Sequence, residues 1–576
     1  MTTELISLGI LFICAIIGGI IAARFKQPAV FGLLLVGAII GPNSLNLVQD
    51  MNMIRMMADF GAILLLFIIG LDFDVSKLMK LGVRPLLLGL LKFAIVLFFG
   101  YETALLLGFS VKVALFVGVI LSFSSTVVVV KVLEQKEMFN RKEVPLLIAV
   151  LVIEDIIAVI ALTFFSGIKN SSTTLISTFE HIIFALSILT LAYFVMLKLL
   201  RHVINVIVRN NSDESVLPFL SLGMGALFSY FASYLGLTPS AGAFLAGSLI
   251  ASLPNSKEYG KAIHPYAMIF TSIFFISMGT LVDFNVVQSN IALIATLLFM
   301  VVVSRFIAVG LLTIILANFK NEQPFFSSIA MVSVGEFSLL VAKESEKFGL
   351  GIDLVTITAA IIFLSAILMS IGINHSEKIH SKINSKLPLK ARLKLERLSN
   401  YMRKLFDQME IENSFTKKLR AESKAAFLLL ALEVFAFFAL RRAAISIKYE
   451  YSHIILYSFY AISAVIMFYI TSLIYKRTKA IHHTIAVILT NVESSRNLKK
   501  CISVLNSFLL ALFLFLSAML FPFAIFMFNL SPVANMIPFV LLAASFYCLK
   551  RFIMLVDGNS SNYTPSYSAS LSFSKL

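Results

Sequence analysis

Leu151-Val152-Ile153-Glu154-Asp155-Ile156-Ile157 places two adjacent carboxyl side chains at the middle of a long apolar run, residues 143–166. A solvated face or a kinked loop would need turn residues or other polar groups around the pair, and the stretch has none there. An ionisable residue at the centre of a membrane span is costly and by default marks a substrate path or an ion pair. Neighbours on a helix point about 100° apart. The two carboxylates therefore serve different tasks, one facing a cavity and the other a packed helix.

Outward from that stretch the chain is built for lipid. Of its 576 residues, 59% are hydrophobic and 14% charged; soluble domains run near 45–50% and about 25%. A bilayer-spanning helix needs about 20 apolar residues. About thirteen candidates precede residue 376, near 4–23, 28–41, 56–72, 82–107, 111–133, 143–166, 175–199, 216–235, 239–253, 264–282, 289–316, 325–347 and 354–374. About four more follow, near 425–441, 453–475, 502–529 and 532–549. The fold class is an all-α integral membrane protein. The first run follows Met1-Thr2-Thr3-Glu4, with no basic stretch before it, and reads as a membrane helix, not a signal peptide.

The net charge of +16 does not point to nucleic acid, because the basic residues sit in short loops and one long stretch. There they orient the chain and meet anionic headgroups of membrane lipid. Alternate loops hold roughly fifteen and about four Lys/Arg, which places the N-terminus outside a plasma membrane and the segment after residue 375 in the cytoplasm. Cys14, Cys501 and Cys548 are far apart and read as small apolar residues, with no disulfide framework or metal spacing.

An internal repeat is visible. Gln27-Pro28-Ala29-Val30-Phe31-Gly32 returns as Thr238-Pro239-Ser240-Ala241-Gly242. Leu66-Phe67-Ile68-Ile69-Gly70 returns as Phe274-Phe275-Ile276-Ser277-Met278-Gly279, and Lys92-Phe93 as Arg305-Phe306. The offsets all lie near about 210 residues. The copies are seven helices apart, an odd number, so they are inverted in the membrane. Inverted repeats with a midplane site are a mark of secondary transporters.

Other midplane groups join the carboxylates. Arg305 lies near the middle of 289–316 and requires an anionic partner, for which Glu154 or Asp155 is suited. Lys92 holds the related place in the other repeat and either snorkels to an interface or acts in the core. Two helices are expected to break and line a cavity: 111–133, at Ser122-Phe123-Ser124-Ser125-Thr126, and 325–347, at Ser333-Val334-Gly335-Glu336. Backbone carbonyls and hydroxyls released there are hard oxygen ligands for a small cation. Glu336 either compensates helix dipoles at the crossing or pairs with Lys92.

At these residues the chain resembles the monovalent cation:proton antiporter superfamily, in the branch with the potassium efflux antiporters and bacterial sodium/proton exchangers. The matching stretches include Arg24-Phe25-Lys26-Gln27-Pro28 through Gly41-Pro42, Ser124-Ser125-Thr126, Glu154-Asp155, Gly242-Ala243-Phe244-Leu245-Ala246-Gly247 and Gly335-Glu336-Phe337, in family order across 1–375. The resemblance implies an inverted-repeat fold with two broken, crossing helices, a dimerisation domain and a mobile core. It also implies a homodimer and elevator-like alternating access. It puts the proton/cation carboxylate at Asp155 with Thr126 and Ser125 nearby, and the basic core residue at Arg305. The first position of the carboxylate pair is Glu154, where relatives carry Asp, Asn or Gln. A permanent Glu154–Arg305 pair would leave Asp155 as sole carrier and make exchange electroneutral.

Four regions follow: an antiporter domain at 1–375, a basic amphipathic linker at 376–424, an added helical region at 425–550 and a disordered tail at 551–576. The expected activity is exchange of sodium or potassium for protons, without catalysis or cofactor. No GxxxxGK[ST] loop is present, and no nucleotide-binding pattern follows residue 375. An ion-coupled symporter of the same fold would need more polar midplane residues. A membrane sensor with the C-terminal region as output leaves the buried charges unexplained.

Overall fold

The computed structural model describes residues within 2–169, 188–199, 216–376, 400–436 and 453–557, with short gaps among them. The expected spans 175–199 and 425–441, the linker 376–424 and the end of the chain after residue 557 lie largely or wholly outside the described residues. Regular structure among the described residues is helical, with one isolated antiparallel bridge, Ser124–Val334. Among them, six helices are long and apolar enough to cross a membrane, including Arg84–Leu106, Val144–Ser166 and Leu354–Ile373.

One group of helices comprises α1 (Thr2–Arg24), α2 (Ala29–Ile40), α3 (Met51–Asp72), α8 (Val216–Tyr234), α9 (Pro239–Ala251) and α10 (Thr271–Thr280). Small residues let helix backbones approach closely in a membrane, and glycines join this group. A Cβ on Gly70 of α3 would lie 2.1 Å from the Phe244 carbonyl oxygen of α9, and one on Gly247 of α9 would lie 2.0 Å from that of Phe67. Gly18 with Gly32 and Gly37 with Gly279 join α1 to α2 and α2 to α10.

A second group holds the midplane charges. It contains α4 (Val83–Leu106), α5 (Val111–Ser122), α6 (Thr126–Gln135), α7 (Val144–Lys169), α12 (Ile291–Arg305), α13 (Leu311–Ala317), α14 (Gln323–Ala330), α15 (Glu336–Glu346) and α16 (Leu354–Asn374), with the short α11 (Phe284–Ser289) leading in. Gly100 and Gly118 bring α4 against α5, and Gly89 brings α4 against Ile153 of α7. Among the described residues no such glycine approach joins the first group to the second. The expected span 289–316 is not one regular helix. A π-helical turn, Phe306–Gly310, follows Arg305 and separates α12 from α13.

The C-terminal helices are α17 (His453–Glu493), α18 (Leu498–Phe528) and α19 (Ile537–Asp557). α18 packs along α4 and α5. Phe164 meets Phe523 edge-on at 5.4 Å, Phe98 meets Phe539 at 5.9 Å, and the Tyr101 hydroxyl donates to Asn535 Oδ1 at 3.1 Å. α19 runs past residue 550, with Phe552 buried against Phe508 at 5.2 Å.

Candidate ion-binding site

The serine- and glycine-rich clusters break their helices. α5 stops at Ser122 and α6 starts at Thr126; α14 stops at Ala330 and α15 starts at Glu336. The unwound segments cross and bond to each other. Ser125 N–H donates to the Ser333 carbonyl at 3.1 Å, and Gly335 N–H to that of Phe123 at 3.2 Å. A side chain at Gly335 is barred, since its Cβ would lie 2.5 Å from the Ser124 carbonyl oxygen.

The crossing leaves two helix C-terminal ends and two N-terminal ends deep in the protein. The former carry partial negative charge and unbonded carbonyls, the latter partial positive charge and unbonded N–H groups. Arg305, fully buried, serves the C-terminal ends. Its Nη2 donates to the Leu121 and Phe123 carbonyls at 2.9 Å each, and its Nη1 to the Ser333 carbonyl at 3.1 Å, to Ser124 Oγ at 2.8 Å and to the Met331 carbonyl. A guanidinium that stays charged suits a place where only carbonyl oxygens and a hydroxyl receive it.

Glu154 is not hydrogen-bonded to Arg305, as the sequence led us to expect, but to Lys92. Lys92 Nζ lies 2.7 Å from Glu154 Oε2 and also donates to the Ser122 carbonyl at 2.7 Å and Ser124 Oγ at 2.8 Å. Glu154 Oε2 accepts the Ser124 N–H at 2.9 Å. Packing explains the exchange of partners. Gly89 seats α4 on Ile153, and Lys92, three residues along α4, then reaches the residue next to Ile153. Lys92 is wholly buried and does not snorkel. Glu336 does not pair with it either. It opens α15, where its Oε2 accepts the Ser125 hydroxyl at 2.9 Å, so an acidic group stands at a helix N-terminal end.

Asp155 is 6% exposed and points elsewhere. The Thr126 hydroxyl, on the first residue of α6, lies 3.2 Å from each of its carboxylate oxygens. The two neighbouring carboxylates thus take separate surroundings: Glu154 faces α4 and the unwound turn, and Asp155 faces the start of α6. The structure brings Ser124, Ser125, Thr126, Glu154, Asp155, Arg305, Lys92, Gly335 and Glu336 to one crossing. It also shows an ion pair that sequence reasoning missed, Lys343 Nζ to Asp59 Oδ1 at 2.8 Å. No spacing in the sequence links residues that far apart.

A family model described as "Sodium/hydrogen exchanger, transmembrane" matches residues 10–375. The chain is 26% identical to the Iron transporter MagA of Paramagnetospirillum magneticum, over 60% of this chain and 78% of that one. It is 28% identical to K(+) efflux antiporter 5 of Arabidopsis thaliana, over 58% of this chain and 60% of that one. It is 29% identical to the Probable Na(+)/H(+) antiporter GerT of Bacillus cereus, over 58% of this chain and 88% of that one. The fold is similar to that of the sodium proton antiporter MjNhaP1 from Methanocaldococcus jannaschii, with TM-score 0.50 and 17% identity, covering 66% of this chain and 99% of that one.

Proposed function

The chain belongs to the sodium/hydrogen exchanger family, and from that membership we propose that it exchanges sodium or potassium for protons by alternating access, with Asp155 as the shared site. One observation carries the reading. Arg305 and Glu336 attend the ends of the broken helices and Lys92 holds Glu154, and the Thr126 hydroxyl lies 3.2 Å from each carboxylate oxygen of Asp155. A carboxylate with a hydroxyl beside it can accept either a proton or a small hard cation. Removing a bare carboxylate from water costs several kcal/mol, so the site crosses when loaded with one or the other, and the two exchange.

Monovalent cargo fits this ligand set better than a multivalent ion, because a divalent cation takes several carboxylates. Among the described residues no group of three or more His, Cys, Asp or Glu gathers to hold a metal ion. With Glu154 held by Lys92, a single carboxylate exchanges, which makes the cycle one cation per proton and electroneutral. Among the described residues no glycine-mediated approach joins the two helix groups, which supports movement of one against the other. A plasma-membrane homodimer with its N-terminus outside belongs to the same proposal.

The test is transport in liposomes with a pH gradient and a pH-sensitive dye, adding sodium, potassium or lithium at clamped voltage. Cation-driven proton movement is expected, lost in Asp155→Asn and insensitive to voltage. Folded wild-type protein that moves no protons with any of these cations would overturn the proposal.

A further inference from the structure

A cavity of about 690 Å³ lies between the two helix groups. Asp59 and Ile63 of α3 and Pro239 of α9 line it from the first group; Leu162 of α7 and Leu340 and Lys343 of α15 line it from the second. Leu162 follows Asp155 by seven residues, two helical turns or about 10.5 Å along the same face. The cavity therefore meets α7 two turns beyond Asp155, on the face that carries it. The charge distribution of the loops puts this end outside.

The Lys343–Asp59 ion pair crosses this cavity. It joins α15 of the second group to α3 of the first at 2.8 Å. Lys92–Glu154 and the Arg141–Glu322 contact at 2.7 Å, by contrast, each lie within the second group. A bond between bodies that slide past each other must break once per cycle, while a bond inside one body need not.

We propose that Lys343 and Asp59 form a latch that holds the state in which Asp155 faces this cavity. The latch rests on the exchange reading above and adds a control point to it. Movement of α15 away from α3 separates the pair, so its strength sets how readily the loaded core leaves this state. Neither residue touches the cargo; both act by positioning the core.

A reversible crosslink tests it. Asp59→Cys and Lys343→Cys are combined in a background with Cys14, Cys501 and Cys548 replaced by serine, and joined with a short bis-methanethiosulfonate reagent that a reductant releases. A lysine–aspartate pair spans more than the Cα separation that a direct disulfide tolerates, hence the spacer. Crosslinked protein, counted by peptide mass spectrometry, is expected to transport about tenfold more slowly or worse, recovering on reduction. Each single cysteine variant treated alike is expected to stay within about twofold of its untreated rate. A crosslink that forms without slowing transport overturns the latch and leaves the exchange reading standing, as does failure of the two cysteines to crosslink. If the cysteine variant does not fold, charge exchange decides. Asp59→Lys and Lys343→Asp alone are expected to change the initial exchange rate several-fold, and together to return it within about twofold; no change in either single variant overturns the latch. Loss of transport in the wild type under the same conditions counts against the exchange reading itself.

Discussion

Lys92 and Glu154 are both at or near complete burial and 2.7 Å apart, so removing one charge strands the other. Breaking a buried pair from one side costs about 3–5 kcal/mol. Lys92→Met is therefore expected to lower thermal stability by that order in detergent-solubilised protein. The double variant Lys92→Met with Glu154→Gln is expected to regain a large part of it. An equal loss in both would mean that the lysine acts through packing alone. The sequence made the buried charges legible as a set, because in so apolar a chain each stands out. It did not make their pairing legible. Which cation meets Glu154 depends on where Gly89 lets α4 rest on α7, a separation of ångströms that no motif encodes. Asp155 stood out for a different reason: the resemblance to cation:proton antiporters singles it out, and its role as the shared site is proposed on that basis.

The two crossing breaks are elements with almost no regular structure of their own, held by Ser125–Ser333 and Gly335–Phe123 hydrogen bonds and by Arg305. Gly335→Val would put a branched side chain where even a Cβ falls 2.5 Å from a carbonyl oxygen. Overpacking of this kind costs about 1–3 kcal/mol, and exchange activity should fall with it. Gly19→Ala, in α1 with nothing within 4 Å of the new Cβ, serves as the control and should leave both activity and melting temperature unchanged. The breaks were readable because serine clusters and a glycine interrupt otherwise unbroken apolar runs. The π turn after Arg305 was not. Phe306-Ile307-Ala308-Val309-Gly310 has the composition of an ordinary membrane helix, and an extra residue in one turn leaves no compositional trace.

For the whole molecule, the order of helices and the inverted repeat could be read from spacing, but the placement of the C-terminal helices could not. Their contacts to α4 and α7 run through aromatic rings such as Phe98–Phe539 and Phe164–Phe523. In a chain with 53 phenylalanines no single ring announces its partner. Because these contacts fall on the group that carries Asp155, the C-terminal helices are expected to travel with it. A double-mutant cycle on Phe164→Ala and Phe523→Ala should give a coupling of about 0.5–1.5 kcal/mol in thermal unfolding; additive losses would argue against the docking. α17 has a different consequence. Its 41 residues extend about 61 Å as one helix, roughly twice the hydrocarbon thickness of a bilayer. Exposed Lys476 and Lys479 stand just past its midpoint. The half beyond them packs on α18, with His482 Nε2 2.7 Å from Asn506 Oδ1 and Thr484 buried. To an electron microscopist a helix of that length is a built-in landmark, a ruler twice the depth of the lipid core against which particle images can be oriented.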